Sequence, residues 1–432
     1  MVTLDDVAAK AGVSRMTASN ALRGKSVVKA STAQRVLAAA AELGYRPNLA
    51  ARQLSSGRTH IIGLSVADLD FIFPAALAAD LSDEAARRGY QLITQQTRMS
   101  SDYERAMMNS ASAQICDGTI VCWPSSDLDA MANFAATHPL VVLDGHGLEG
   151  RVDTVFTPNR DGARSAVTHL IEQSARRILV LGARYLPPEE LARIRDCDDA
   201  RVGGAPDRDT QGGGAVLVES TVQVSNASLR LCGAWEAMGE HGGVPYEPDD
   251  VYLCGWDRRS GYETMRQILS ERSPRDFDAV FALTDSIAIG ALKALTEAGV
   301  HVPEDVMVIG FDGVTDGAYM NPGLTSVAID TKEIATVCLD LLIDRIEGAH
   351  GGMSAAARNI GENHATAAAA GVIGASVGSV VPAPAAIGGP AGGSAVATDP
   401  RFADRSAGRC VPASRTRVLS YRIVARGSAE RR

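Results

Sequence analysis

Near the start of the chain, apolar residues recur at helical spacing. Leu4, Val7, Ala8 and Ala11 follow an i, i+3, i+4, i+7 pattern, one face of a helix. Gly12 supplies a turn, and Ser14 is placed to cap a second helix. In that helix Ala18, Ala21 and Leu22 point one way, and Arg15, Met16, Ser19, Asn20 and Arg23 share the opposite face. A third helix is expected over Thr32–Leu43, with Ala33, Val36, Leu37 and Ala40 inward and Gly44 at its end. Pro47 then opens a short helical stretch through Leu54 that Ser55-Ser56-Gly57 stops. A helix this short forms only with outside support.

From Ile61 onward the pattern changes to short apolar runs alternating with amphipathic segments. Strands are expected at Ile61–Val66, Gln91–Thr94, Gly118–Cys122, Leu140–Asp144, Arg177–Gly182, Val251–Gly255, Ala279–Leu283 and Val306–Phe311. Helices are expected at Ala75–Arg88, Arg160–Glu172, Gly261–Ser270 and Ser286–Ala298, among others. Strand–helix alternation argues parallel sheets with helices on both faces, and this many units argues two sheets. Ligands bind such sheets at the carboxyl ends of the strands.

Charge sharpens the division. Residues 1–60 carry nine Lys/Arg against three acids, while the 432-residue chain as a whole is at −9. A basic head on an acidic body suggests a nucleic-acid module joined to something else. Helix, Gly turn, helix is the helix-turn-helix plan, whose second helix enters the major groove. Arg can read guanine and Asn adenine, so Arg15 and Asn20 suit base contact. The same periodicity also fits a small helical bundle with a solvated polar face.

The remaining chemistry is mostly exclusion. No apolar run is long enough and free enough of breakers to span a membrane, and the start of the chain does not read as a signal peptide. The seven cysteines show no CxxC, which fits a reduced cytoplasmic protein, and no metal or other cofactor is expected. No P-loop GxxxxGK[ST] motif and no metal-binding cluster occurs, so nothing supports an enzyme.

TLDDVAAKAGVSRMTASNALRG at 3–24 and YRPNLAARQLSSGRTHIIGL at 45–64 resemble the lactose/galactose-repressor family of bacterial transcription regulators. DTVFTPNRDGARSAVTHLIE at 153–172, FALTDSIAIGALKALTEAGVHVPEDVMVIGFDGV at 281–314 and NPGLTSVAID at 321–330 extend the likeness to that family's effector domain. The resemblance implies an α/β protein with a three-helix helix-turn-helix head and a two-lobed, periplasmic-binding-protein-like effector domain built on parallel sheets. The expected divisions are a head at 1–46, a hinge at 47–60, one lobe from 61–158 and 286–325, and another from 159–285 and 326–432, with chain crossovers near 158, 285 and 325. Candidate DNA-contacting residues are Thr3, Ser14, Arg15, Met16, Thr17, Ser19, Asn20 and Arg23, with Asn48, Ala51 and Leu54 in the hinge. By the resemblance the hinge folds on operator DNA and pushes Leu54 into the minor groove, where an apolar wedge kinks the duplex.

Effector-site candidates are Phe73, Asp144, Arg230, Trp256, Asp285 and Asp312. RLCG at 230–233 resembles the family's RLAG and puts Arg230 at a ligand-binding position. Trp256 matches a sugar-stacking aromatic, and Asp312 an acceptor of hydroxyl protons. Each residue type has a plainer use: the aromatics as core, the aspartates as helix caps, Arg230 as an ion pair. The implied function is a homodimeric repressor on a pseudo-palindromic operator, released by a sugar or sugar derivative. The alternatives are a corepressor-type regulator with a purine-like ligand, or a small-molecule binding protein without a DNA role. Residues 184–226 and 348–414 depart from the family pattern and read as flexible insertions. No heptad repeat near the end of the chain points to a coiled-coil tetramer.

Overall fold

The computed structural model describes residues 2–22, 26–45, 58–203, 223–241, 243–348 and 414–430. The head is three helices: α1 Leu4–Ala11, α2 Arg15–Leu22 and α3 Ala30–Leu43. Thr3 and Asp6 form a reciprocal capping box on α1, which ends at Gly12 with φ 62°. The Ser14 hydroxyl accepts from the Thr17 amide at 3.1 Å and starts α2. Val7, Ala8, Ala11, Ala18, Ala21, Val36, Ala39 and Ala40 form the head's core. One inward expectation fails. Leu37 is 51% exposed, because the buried stripe of α3 runs Val36, Ala39, Ala40 and Leu37 lies a third of a turn off it.

The body contains two six-stranded sheets. The first uses β1 Ile61–Val66, β2 Gln91–Gln96, β3 Gly118–Cys122, β4 Leu140–Leu143, β5 Asp153–Phe156 and β11 Thr416–Val418. The second uses β6 Ile178–Leu181, β7 Val251–Tyr252, β8 Ala279–Ala282, β9 Met307–Asp312, β10 Thr325–Ala328 and β12 Arg422–Val424. Their orders are β11-β5-β4-β3-β1-β2 and β12-β10-β9-β8-β6-β7. Both sheets therefore repeat one doubly wound plan, and each has a switch point where the winding reverses, between β1 and β3 and between β6 and β8. All pairings are parallel except β10 with β12.

Helices α4 Ile72–Arg87, α5 Ser101–Met108, α6 Ala111–Ile115 and α7 Leu128–Thr137 connect strands of the first sheet. Helices α8 Asn159–Glu172, α9 Pro188–Gly203, α10 Asn226–Glu240, α11 Arg258–Glu271 and α12 Asp285–Glu297 belong to the second. The last helix, α13, covers 331–348 and returns to the first lobe, where Arg345 pairs with buried Asp153 at 2.7 Å. Gly233 on α10 and Gly290 on α12 let helices cross at backbone distance: a Cβ on Gly233 would sit 2.1 Å from the Arg160 carbonyl, and one on Gly290 would sit 2.1 Å from that of Arg258.

The lobe boundaries differ from expectation. Residues 286–325 do not join the first lobe, because β9 pairs with β8 and β10 with β9. Residues 326–432 are not confined to the second lobe, because α13 and β11 belong to the first. Among the described residues the chain passes between sheets after β5, after β10 and between β11 and β12, so the expected crossing near 285 does not occur. Within the segment 184–226, the described residues 184–203 do not bear out the flexible reading. Its first part is α9, which buries Leu191 and Ile194. Arg160 fixes α9 to the neighbouring helices through Asp199 at 2.5 Å, Asp198 at 3.4 Å and Glu236 at 2.8 Å. Residues 204–222 and 349–413 lie outside the described residues.

Candidate functional site

The carboxyl ends of the two sheets face a common set of polar and aromatic side chains. Trp123 follows β3, Asp144 follows β4 and Asp312 ends β9. All three hold left-handed backbone, with φ of 55°, 54° and 114°. Non-glycine residues adopt this geometry at a cost, and such residues cluster at functional sites.

Asp144 is buried and accepts from four groups. Its Oδ1 takes the Thr157 amide at 2.8 Å, and its Oδ2 takes the Thr157 hydroxyl at 2.8 Å, the Trp123 indole at 3.1 Å and Asn226 Nδ2 at 2.9 Å. Asn226 opens α10, so this last bond crosses between the lobes. Asn226 Oδ1 in turn accepts from Asn159 at 3.1 Å, and Asn159 Oδ1 accepts from Arg230 Nε at 2.8 Å.

Arg230 is 4% exposed. Its Nη1 donates to the Leu283 carbonyl and its Nη2 lies 3.5 Å from Asp312 Oδ1. Its planar head sits 3.7 Å from the Phe311 ring centroid and 5.1 Å from that of Trp256. Trp256, half-buried, is held edge-on by its own bond to the Gly182 carbonyl at 2.8 Å. Leu283 and Gly182 follow β8 and β6, so the second sheet's switch point supplies both carbonyls. The first sheet's switch point supplies Trp123, backed by Phe73 at 6.1 Å.

Burial governs the charge state of the acids. It pushes Asp312 up to about 7, against the pull of the Arg230 guanidinium. Burial, reinforced by the Asp312 charge, pushes Asp285 up to about 8 although Ser326 and the backbone bond it. Burial also lowers Arg230 from its ordinary value, opposed first by Asp312.

Of the six effector-site candidates, Asp144, Arg230, Trp256 and Asp312 come together. Phe73 is core, packed behind Trp123. Asp285 has no exposure, and its oxygens hold the Ser326 hydroxyl and the Val314 amide at 2.7 Å each. It is a brace for the loop after β9. Trp123, Asn159 and Asn226 were not singled out from the sequence, although Asn159 lies within the matched 153–172 segment.

On the head, Arg15 and Met16 stand exposed on α2, with Ser19 and Asn20 partly so. Arg15 lies 3.5 Å from Asp5 across the turn. Thr3 and Ser14 cap helices, with Thr17 bonded to Ser14. Arg23, Asn48, Ala51 and Leu54 lie outside the described residues. Among the described residues no group of acids, histidines and cysteines could hold a metal ion, and no helix is long and apolar enough to cross a membrane.

A family profile for bacterial regulatory proteins of the lacI family matches residues 3–48, and one for a periplasmic binding protein-like domain matches 214–359. The chain is similar to the HTH-type transcriptional regulator AscG of Escherichia coli K12, at 29% identity over 81% of this chain and 93% of that one. It is similar to the HTH-type transcriptional repressor PurR of Haemophilus influenzae, at 27% identity over 80% and 91%. Among solved structures it is similar to the lac repressor dimer bound to operator and the anti-inducer ONPF, with 26% identity and a TM-score of 0.61 over 80% and 93%.

Proposed function

We propose that this chain, a DNA-binding transcriptional repressor of the lacI type by its likenesses, acts as a cytoplasmic homodimer which a sugar or sugar derivative releases from a pseudo-palindromic operator. The proteins it matches are transcriptional regulators, not enzymes. Two heads related by a two-fold axis would read two half-sites, with Arg15, Met16 and Asn20 turned to base edges in the major groove. The hinge at 47–60, with Leu54, would occupy the minor groove between them.

One observation carries the ligand class. Between the half-buried Trp123 and Trp256 runs the sequence Asp144, Asn226, Asn159, Arg230, Asp312, in which acceptors and donors alternate. A sugar's hydroxyls each donate and accept, and its C–H face suits an indole. Both lobes contribute to this row, so a ligand bound there would favour one lobe arrangement over another. That differential affinity is what an effector needs in order to act on the distant head.

The test has two steps. Duplexes enriched from a random pool near physiological salt would define the operator, and an enriched two-fold sequence is expected. That duplex, bound to the full chain, is then titrated with a panel of mono- and disaccharides and with purine bases. Release by a sugar supports the proposal. Tightening by a purine would replace it with the corepressor reading, and failure to enrich any duplex would overturn the DNA-reading half.

A further inference from the structure

Helix α9 belongs to the second lobe, but its Arg201 reaches the first. Arg201 Nη1 lies 2.5 Å from His146 Nδ1 and 3.4 Å from Glu149 Oε1, and its guanidinium carbon sits 4.4 Å from the Phe156 ring centroid. His146 and Glu149 are on the loop between β4 and β5, and Phe156 ends β5. The other arm, Nη2, pairs with Asp198 one turn back on α9, and Asp198 is also 3.4 Å from Arg160 of α8. His146 itself stacks on Phe156 with ring centroids 5.3 Å apart. The contact therefore joins the two lobes.

The directions of these bonds follow from their ends. A guanidinium has only donors, so His146 Nδ1 must accept and the ring proton must sit on Nε2. Nε2 lies 2.7 Å from Asn226 Oδ1 and donates to it. That turns the Asn226 amide nitrogen toward Asp144 Oδ2, 2.9 Å away. From the opposite side Arg230 donates to Asn159 Oδ1, which turns the Asn159 nitrogen toward the same Asn226 oxygen. Two cations thus set the sense of every bond between them, and both lines end on Asp144.

We propose that Arg201 is a positioning residue that clamps the lobes together and, through the His146 tautomer, fixes which atoms of Asn226 and Asp144 the cleft offers as donors and acceptors. That these atoms meet an effector rests on the function proposed above; the clamp does not.

The experiment uses the full chain with neither operator nor effector, so it stands whatever a ligand screen finds. Histidine side-chain nitrogen NMR, assigned with His146→Gln, is expected to show His146 neutral with its proton on Nε2. Arg201→Ala is expected to give mixed tautomers, with amide exchange around His146 and Asn226 rising about tenfold. Arg201→Lys keeps a donor and is expected to restore the Nε2–H form. A wild-type His146 protonated on Nδ1 or on both nitrogens would overturn the proposal without any variant. A tautomer unchanged in a folded Arg201→Ala protein would overturn it as well.

Discussion

Nη2 of Arg230 lies 3.5 Å from Oδ1 of Asp312, and both side chains are closed off from solvent. A buried ion pair gains little over an apolar replacement, but removing one partner strands the other. Arg230→Ala would leave Asp312 without its compensating charge and the Leu283 carbonyl without its donor. A loss of about 3–5 kcal/mol in urea unfolding is expected. Adding Asp312→Asn should recover part of it, and additive losses would show that the two residues are not coupled.

The two raised carboxyls give stability a pH dependence of defined sign. Their ordinary value is near 4, whereas burial holds Asp312 up to about 7 and Asp285 up to about 8. Between those limits the native chain keeps protons that the unfolded chain has released. Their contribution is therefore fully present in acid and is lost as the pH rises toward 8. Asp285→Asn removes one titration and should flatten the fall. Parallel stability–pH curves for the variant and the parent would refute this.

Gly233 tests the helix crossing. Its Cβ would meet the Arg160 carbonyl at 2.1 Å and the Arg164 amide at 2.8 Å, both backbone atoms that cannot swing aside. Gly233→Ala should cost about 3 kcal/mol or more. Gly239, near the end of the same helix, is exposed with nothing within 4 Å of a Cβ. Gly239→Ala should instead gain about 0.5–1 kcal/mol from helix propensity. Similar effects at both sites would mean that the close approach is not what the first glycine serves.

On the head, Arg15→Ala should weaken binding to an enriched duplex by about 1–3 kcal/mol while leaving binding to random duplex nearly unchanged. Equal weakening on both duplexes would make Arg15 a phosphate contact instead.

How well the sequence could be read depended on where the information lay. β1 and β3 match their expected bounds because each is a short apolar run between polar breaks. Arg230 and Asp312 stood out through motifs that a likeness could match. Trp123, Asn226, His146 and Arg201 come from separate stretches and meet only because the two sheets present their carboxyl ends to each other, which no local pattern encodes. The lobe assignment failed at 286–325 for a related reason: strand–helix alternation does not say which sheet a strand joins. Within 184–226 the run of charges hid a buried pair, Leu191 and Ile194, whose i, i+3 spacing was the available sign of a helix.

The routing of the chain has a consequence for proteolysis. Residues 349–413 leave from α13 and return at β11, both parts of the first lobe. A single cut there would leave a carboxyl-terminal fragment carrying β11 and β12, one strand for each sheet, still bound to the rest. Arg415 on that fragment is 3.1 Å from Asp153 and 2.8 Å from Asp344 of the other. The nicked protein would thus migrate as one body under native conditions and come apart only in denaturant, with the short piece stapling the two lobes.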